Sequence, residues 1–375
     1  DQLILAADQF IVHRKSTGSK TVIAGYPWFT DWGRDTMIAL PGLTLSTGRY
    51  DDARDILYTF ARYEKDGLIP NVFPDGGDEP AYNTVDAALW YFEAVYQYLQ
   101  HTKDLEFVQQ HLLPVMERIV QGYKKGTVFE IAMQKDSLIA AGNEDTQLTW
   151  MDAKAGNWVV TPRHGKPVEI NALWYNALRV MADITAQTGG DGAAYLKLAE
   201  KVQKSFIKVF WNEKANCLYD LVYEKKANGK IRPNQILAVS LSFPVLEGEK
   251  AKGVVDTVHQ QLYTALGLRT LNKSDPQYRG IYLGDQYARD GAYHQGTTWT
   301  WPLGRFITAY ARVYKDAPGL KKQLEAFFLP FQDHLQDACI GSISEIFDGD
   351  EPLLPRGCFA QAWSVSEIIR AYVEK

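Results

Sequence analysis

The chain has 375 residues, with 40 Lys and Arg against 45 Asp and Glu, a net charge of −5 and 46% apolar residues. That length can bury a sizeable core, and the balance is that of a soluble globular protein rather than a disordered one. The basic residues never cluster as a phosphate-binding face would require, so no nucleic-acid partner is expected.

Cys217, Cys339 and Cys358 are odd in number, far apart and outside any Cys-x-x-Cys pair. They argue against a disulfide framework or thiolate metal site and fit a reducing, cytoplasmic compartment. No apolar run reaches the roughly 18 residues of a membrane span, and the amphipathic opening DQLILAADQFIVHR does not read as a signal peptide. The chain starts at Asp1, and we read residues 1–375 as one catalytic domain, the C-terminal part of something longer. Aromatic residues reach 13%. Most would fill a core, although pyranose rings also stack on such side chains.

In chain order the periodicity predicts helix after helix. Stretches near 2–14, 34–47 and 51–64 come first. Val85, Leu89, Phe92, Val95 and Leu99 then recur at three- and four-residue steps. Leu105, Val108, Leu112, Val115 and Ile119 do the same, followed by Ile170, Leu173, Ala177, Met181 and Ile184. Further helices are expected near 192–210, 234–243, 248–265, 297–314, 318–335 and 359–373, about twelve in all. Alternating β/α units are absent.

The connections alternate in length. Short ones at Gly48–Tyr50, Thr102–Lys103 and Tyr314–Pro318 join members of a pair. Long ones, at 66–82, 124–167, 212–233, 266–296 and 336–357, join pair to pair. This pattern predicts an all-α fold, an (α/α)6 barrel of six helical hairpins with the long loops on one rim. An open solenoid would need even loops and closer repeats. Long ordered loops in a compact domain are usually functional.

Four of these segments concentrate Trp, Arg and carboxylates. In YPWFTDWGRD (residues 26–35), Arg34 and Asp35 either pair at a helix start or bind the vicinal hydroxyls of one sugar. In TWMD, Asp152 either caps a helix or, desolvated near Trp150, keeps its proton as a general acid requires. In GAYHQGTTWTWP, His294 and Gln295 could cap the next helix, and no second histidine stands at metal-ligand spacing. In SISEIFDGDEP, the Asp348–Asp350 step lacks calcium-loop spacing and reads as a turn. Glu345, flanked by Ile343 and Ile346, reads as a carboxylate delivered into a cavity, and with Asp152 it makes a two-carboxylate hydrolase constellation.

YPWFTDWGRDTMIALPGL, TWMDAK, PRHGKPVEINALWYNAL, HQGTTWTWPLG and SEIFDGD…PRGCFAQAWSVSE together resemble the amylo-α-1,6-glucosidase domain of glycogen debranching enzymes. More distantly they are similar to glucoamylases, which share the (α/α)6 barrel. The resemblance runs from about residue 20 to the C-terminus. It implies that Asp152 is the general acid, Glu345 the general base, and Arg34 with Asp35 the pair holding the terminal glucose. It places Glu169 against the neighbouring sugar, with Trp32, Trp150, Arg163, Lys166, His294, Gln295, Gln361 and Trp363 completing the substrate-binding set.

The expected activity is inverting hydrolysis of a terminal glucose at α-1,6 branch stubs of glycogen or limit dextrin. It needs no cofactor or metal, no membrane and no partner beyond the α-glucan; oligomeric state is left open. The carboxyl groups of an inverting pair stand about 6.5–9.5 Å apart, leaving room for a water. The alternatives are a trehalase-like hydrolase or α-glucosidase acting on a small glucoside, and a barrel that binds sugar without turnover.

Overall fold

The computed structural model describes residues 1–74 and 79–375, so the long 66–82 connection is described only outside 75–78. Helices dominate. They are Gln2–Phe10, Gly33–Leu43, Tyr50–Arg62, Ala87–Thr102, Leu105–Phe107 running through a π turn into Leu113–Lys125, Val168–Gln187 and Ala193–Phe210. The 3-10 turn Pro233–Ile236 continues as Leu237–Ser240, and Gly248–Leu262, Gln286–Tyr293, Trp301–Val313, Leu320–His334 and Ala362–Glu374 complete the set.

Every predicted helical stretch contains a helix, with ends that differ. The stretch expected over 2–14 leaves the helix at Phe10 and continues as the strand Ile11–Arg14. That expected over 297–314 begins only at Trp301, because Thr298–Trp299 is taken by a strand. Gln286–Tyr293 lies inside the connection expected at 266–296. Its sequence, QYARDGAY, has a glycine and little apolar periodicity, but Asp285 caps it by accepting from the Ala288 N–H at 2.9 Å.

Two kinds of helix alternate along the chain. Every residue of Gly33–Leu43 is buried, as is the run from Ala87 to Val95, so these helices have lost the one-sided pattern of a surface helix. Tyr50–Arg62 and Leu113–Lys125 keep that pattern, burying one face and exposing charges on the other.

The buried helices pack in succession. Gly33–Leu43 meets Ala87–Thr102, which meets Val168–Gln187, then Leu237–Ser240, Trp301–Val313 and Ala362–Glu374, which packs back on Gly33–Leu43. That last contact is backbone-close. A Cβ on Gly42 would collide with the Ser366 carbonyl, and the Ser366 hydroxyl donates to the Ala39 carbonyl at 2.6 Å. The amphipathic helices lie outside: Gln2–Phe10 on the last buried helix, Ala193–Phe210 on Val168–Gln187, and Leu320–His334 on Trp301–Val313.

Buried ions link these helices. Arg305 reaches Glu93 at 3.3 Å and Glu367 at 3.2 Å, and Arg370 holds both oxygens of Glu367 at 2.7 and 2.8 Å. Asn176 donates to the second oxygen of Glu93 at 3.0 Å. These side chains thus join four of the buried helices. Removing one partner from such a network leaves a charge without water, at a cost of about 3–5 kcal/mol.

The connections carry strands of two to four residues. Five of them form an antiparallel sheet in the order Tyr263–Thr264, Gly267–Arg269, Thr298–Trp299, Ile346–Phe347, Pro355–Arg356. Trp299 pairs with Ile346 in this sheet, which draws the segments 293–301 and 342–358 together. A second pairing, Ala360 with Tyr26 and Gln361 with Gly25, draws residues 26–35 to the same place.

Candidate active site

These pairings converge on one pocket of about 120 Å³, lined by Phe29, Trp32, Arg34, Asp35, Trp150, Asp152, Tyr293, His294, Trp299, Glu345, Gln361 and Trp363. The volume is well below the roughly 300–1,000 Å³ of pockets for drug-sized ligands and suits a few waters or one small ring. All four motif segments therefore meet in space.

Glu345 is 2% exposed, with Ile343 and Ile346 buried beside it. One carboxylate oxygen accepts from the Tyr293 hydroxyl, and the other from the Cys358 N–H at 2.8 Å. Gly357 makes this approach possible: its φ is +66°, and a Cβ there would strike the Glu345 carboxylate. Burial pushes the Glu345 carboxyl up to about 7; the Tyr293 hydroxyl and Cys358 N–H oppose the shift, and the Asp152 charge adds to it.

Asp152 lies in irregular chain after Met151 and caps no helix. Its side chain is 37% exposed, and Arg34 Nη1 approaches it at 3.3 Å. Burial raises its pKa above the ordinary aspartate value, Arg34 opposes this, and the nearby Asp86 adds to it.

Arg34 does not pair with its sequence neighbour Asp35. Its Nε is held by both oxygens of Asp86 at 2.7 and 2.8 Å, and its Nη1 faces Asp152. Asp35 is left to the pocket. It is 8% exposed, and among the described residues no donor satisfies its carboxylate. Desolvation pushes it up to about 8 against the pull of Arg34, with the Asp152 and Glu345 charges adding to the rise. It sits in the first turn of Gly33–Leu43, where a helix terminus favours a carboxylate, yet burial prevails.

Further polar atoms in the pocket lack partners: both ring nitrogens of His294, Gln361 Oε1 and Trp363 Nε1. Buried polar atoms are normally hydrogen-bonded, so a cluster of unpaired ones around a small cavity marks places where water or a hydroxyl can bind. His294 caps no following helix, since Thr300 precedes Trp301–Val313. It stacks on Trp299 at 5.0 Å between centroids, and burial with the charges of Arg232, Arg34 and Arg163 lowers its pKa well below the usual histidine range, so it is neutral. Trp150 stands edge-on to His294, Trp299 and Trp301 at 5.4, 5.2 and 5.0 Å, forming an aromatic wall.

Four residues of the expected substrate-binding set lie outside the pocket lining. Arg163 is buried between Glu169 and Asp220, with which it forms ion pairs. Asp220 also accepts from Asn234 at 2.8 Å, and Asn234 accepts from the Trp150 indole N–H at 2.7 Å. Arg163 and Glu169 thus stand behind Trp150. Gln295 accepts from Arg232 at 2.9 Å and donates to the Val160 carbonyl at 2.8 Å, fixing the chain after Asp152. Lys166 pairs with Asp136 at 2.6 Å near the surface.

Phe29, Tyr293, Trp299 and Asp86 entered the site without being singled out. Trp299 and Tyr293 fall inside the quoted GAYHQGTTWTWP segment, but nothing local marks which aromatic group reaches a carboxylate 52 residues on. Asp86 precedes the Ala87–Thr102 helix, where an aspartate reads as a cap; it is Arg34 that claims it. Among the described residues no three His, Cys, Asp or Glu side chains converge as a metal site, and no helix is long and apolar enough to cross a membrane.

The family model described as amylo-alpha-1,6-glucosidase matches residues 5–370. A protein named glycogen debranching enzyme from Saccharomyces cerevisiae (strain ATCC 204508 / S288c) is 27% identical over 412 aligned residues, which take in 82% of this chain. The match spans only 27% of that relative's length. With the family model matching nearly the whole chain, the chain belongs to the amylo-alpha-1,6-glucosidase family.

Proposed function

We propose that the chain hydrolyses a terminal α-linked glucose, the α-1,6 stub of a branched glucan, with Asp152 as general acid and Glu345 as general base. The observation that carries this reading is Glu345 itself: a buried carboxylate fixed by two donors, facing a one-ring pocket that also contains Asp152 and Asp35. Asp152 gives its proton to the glycosidic oxygen as the bond from that oxygen to C1 breaks. A water held by Glu345 attacks C1 from the opposite face and loses its proton to Glu345. Solvent then resets both groups.

Asp35, His294, Gln361 and Trp363 supply unpaired polar atoms to the sugar's hydroxyls, and Arg34 holds Asp152 in place. Filling the pocket expels water and strengthens each of these contacts. Residues 1–375 act as one catalytic domain, and the circular packing of its buried helices supports a closed (α/α)6 barrel.

The test is glucose release by the purified chain from a limit dextrin bearing α-1,6 glucosyl stubs, compared with maltose and trehalose. Preference for the dextrin is expected. Preference for trehalose or maltose would move the substrate to a small glucoside, and no release from any would leave a sugar-binding barrel.

A further inference from the structure

The pocket has room for one ring, so whatever is attached to that glucose must lie on the rim. A general acid stands beside the leaving oxygen, which puts the leaving group over the loop that carries Asp152. Two residues after Asp152 that loop forms a hairpin, with Lys154 paired to Val159 and Ala155 to Trp158. The helix Gln286–Tyr293 packs on this hairpin and ends in the tyrosine that holds Glu345.

Where the two meet, Trp158 and Tyr287 stand side by side, ring centroids 5.0 Å apart and tilted by 34°. Tyr287 is 58% exposed, and Ile281 and Leu283 nearby in sequence are exposed as well. The indole is fixed by its neighbours. The Arg279 guanidinium lies over it at 5.3 Å, and a Cβ on Gly291 would come within 3.1 Å of its ring. Tyr287 is thus a large ring open to water and Trp158 beside it a half-buried one, poor core residues both, whereas the apolar faces of pyranose rings stack on such surfaces.

We propose that Trp158 and Tyr287 form a stacking platform for the leaving-group side of the substrate, a chain of several α-linked glucosyl units. This rests on the hydrolase reading above and extends it. The platform sets specificity for a polymeric leaving group over a small one and takes no part in proton transfer.

The experiment compares Trp158→Ala, Tyr287→Ala and the double variant with wild type on two substrates, the branched limit dextrin and α-glucosyl fluoride. The fluoride fills the one-ring pocket and has no leaving ring to stack. kcat/KM on the dextrin is expected to fall about ten-fold in the double variant, mostly through KM, and to change less than about two-fold on the fluoride. Equal rates on both substrates for all variants would overturn the platform, and so would an equal fall on both, which would mean that the rings only shape the Asp152 loop. If wild type cleaves neither substrate, the hydrolase reading fails and the platform with it.

Discussion

Tyr293→Phe removes one hydroxyl and leaves the ring, so it isolates the hydrogen bond to Glu345. The carboxylate is 2% exposed and has two donors, Tyr293 and the Cys358 N–H, which both favour its charged form. A hydrogen bond to a charged group is worth about 1.5–3 kcal/mol net, and 1.36 kcal/mol corresponds to one pKa unit. Losing the donor should therefore raise the Glu345 pKa by about one to two units from its value near 7. A base must be ionised to act, so the ionised fraction at pH 7 would fall from about a half to between a tenth and a hundredth. The assay is kcat/KM against pH with α-glucosyl fluoride, whose leaving group needs no proton, so that the base alone governs the ascending limb. Wild type should rise through about pH 7 and Tyr293→Phe about one to two units later, with a five- to fifty-fold deficit at pH 7 that recovers as pH rises. An unmoved limb would refute Glu345 as the base or Tyr293 as its donor.

Asp152→Asn and Glu345→Gln should each lose at least about 100-fold in turnover on the dextrin while keeping their melting temperature near wild type; retention of a tenth of the rate would remove that residue from its role. Asp35 and Glu345 have folded-state pKa values raised to about 8 and about 7, so their contribution to stability is greatest below about pH 4 and declines as pH rises through those values. Asp35→Asn should therefore melt higher than wild type at pH 8–9, with little difference at pH 4, and should weaken binding of a glucose-like inhibitor; the same pH dependence in both proteins would contradict the buried-charge argument. Glu367→Gln leaves Arg305 and Arg370 short of a buried partner and should cost about 3–5 kcal/mol by denaturant unfolding. Incubation with EDTA should leave activity unchanged, and restoration by one particular ion after a loss would point to a metal role.

The helical layout was legible because amphipathic outer helices declare themselves by period, and even the buried ones keep enough apolar spacing to be located. The short strands were not legible. A two-residue strand such as Ile346–Phe347 has no period to read, and its partner Thr298–Trp299 lies 47 residues away. The pocket followed from the motifs as far as types of residue go, since Asp35, Asp152, Glu345 and four of the five expected Trp and Gln positions, all but Gln295, line it. Pairing was where local reading ended. Arg34 stands next to Asp35 in sequence but bonds Asp86, and Arg163, which looks poised for substrate, is spent on Glu169 and Asp220. An arginine takes the carboxylate that tertiary packing brings within reach, and its sequence neighbour on a helix often points elsewhere.

The central claim is that two carboxylates act across the pocket on one glucose, the base through a water. Proton NMR of the first glucose released from the dextrin, read before mutarotation, tests it most directly. A single displacement by the water held at Glu345 predicts β-glucose as the initial product. Initial α-glucose would mean a covalent intermediate and a closer carboxylate pair, and would contradict the roles given to Asp152 and Glu345.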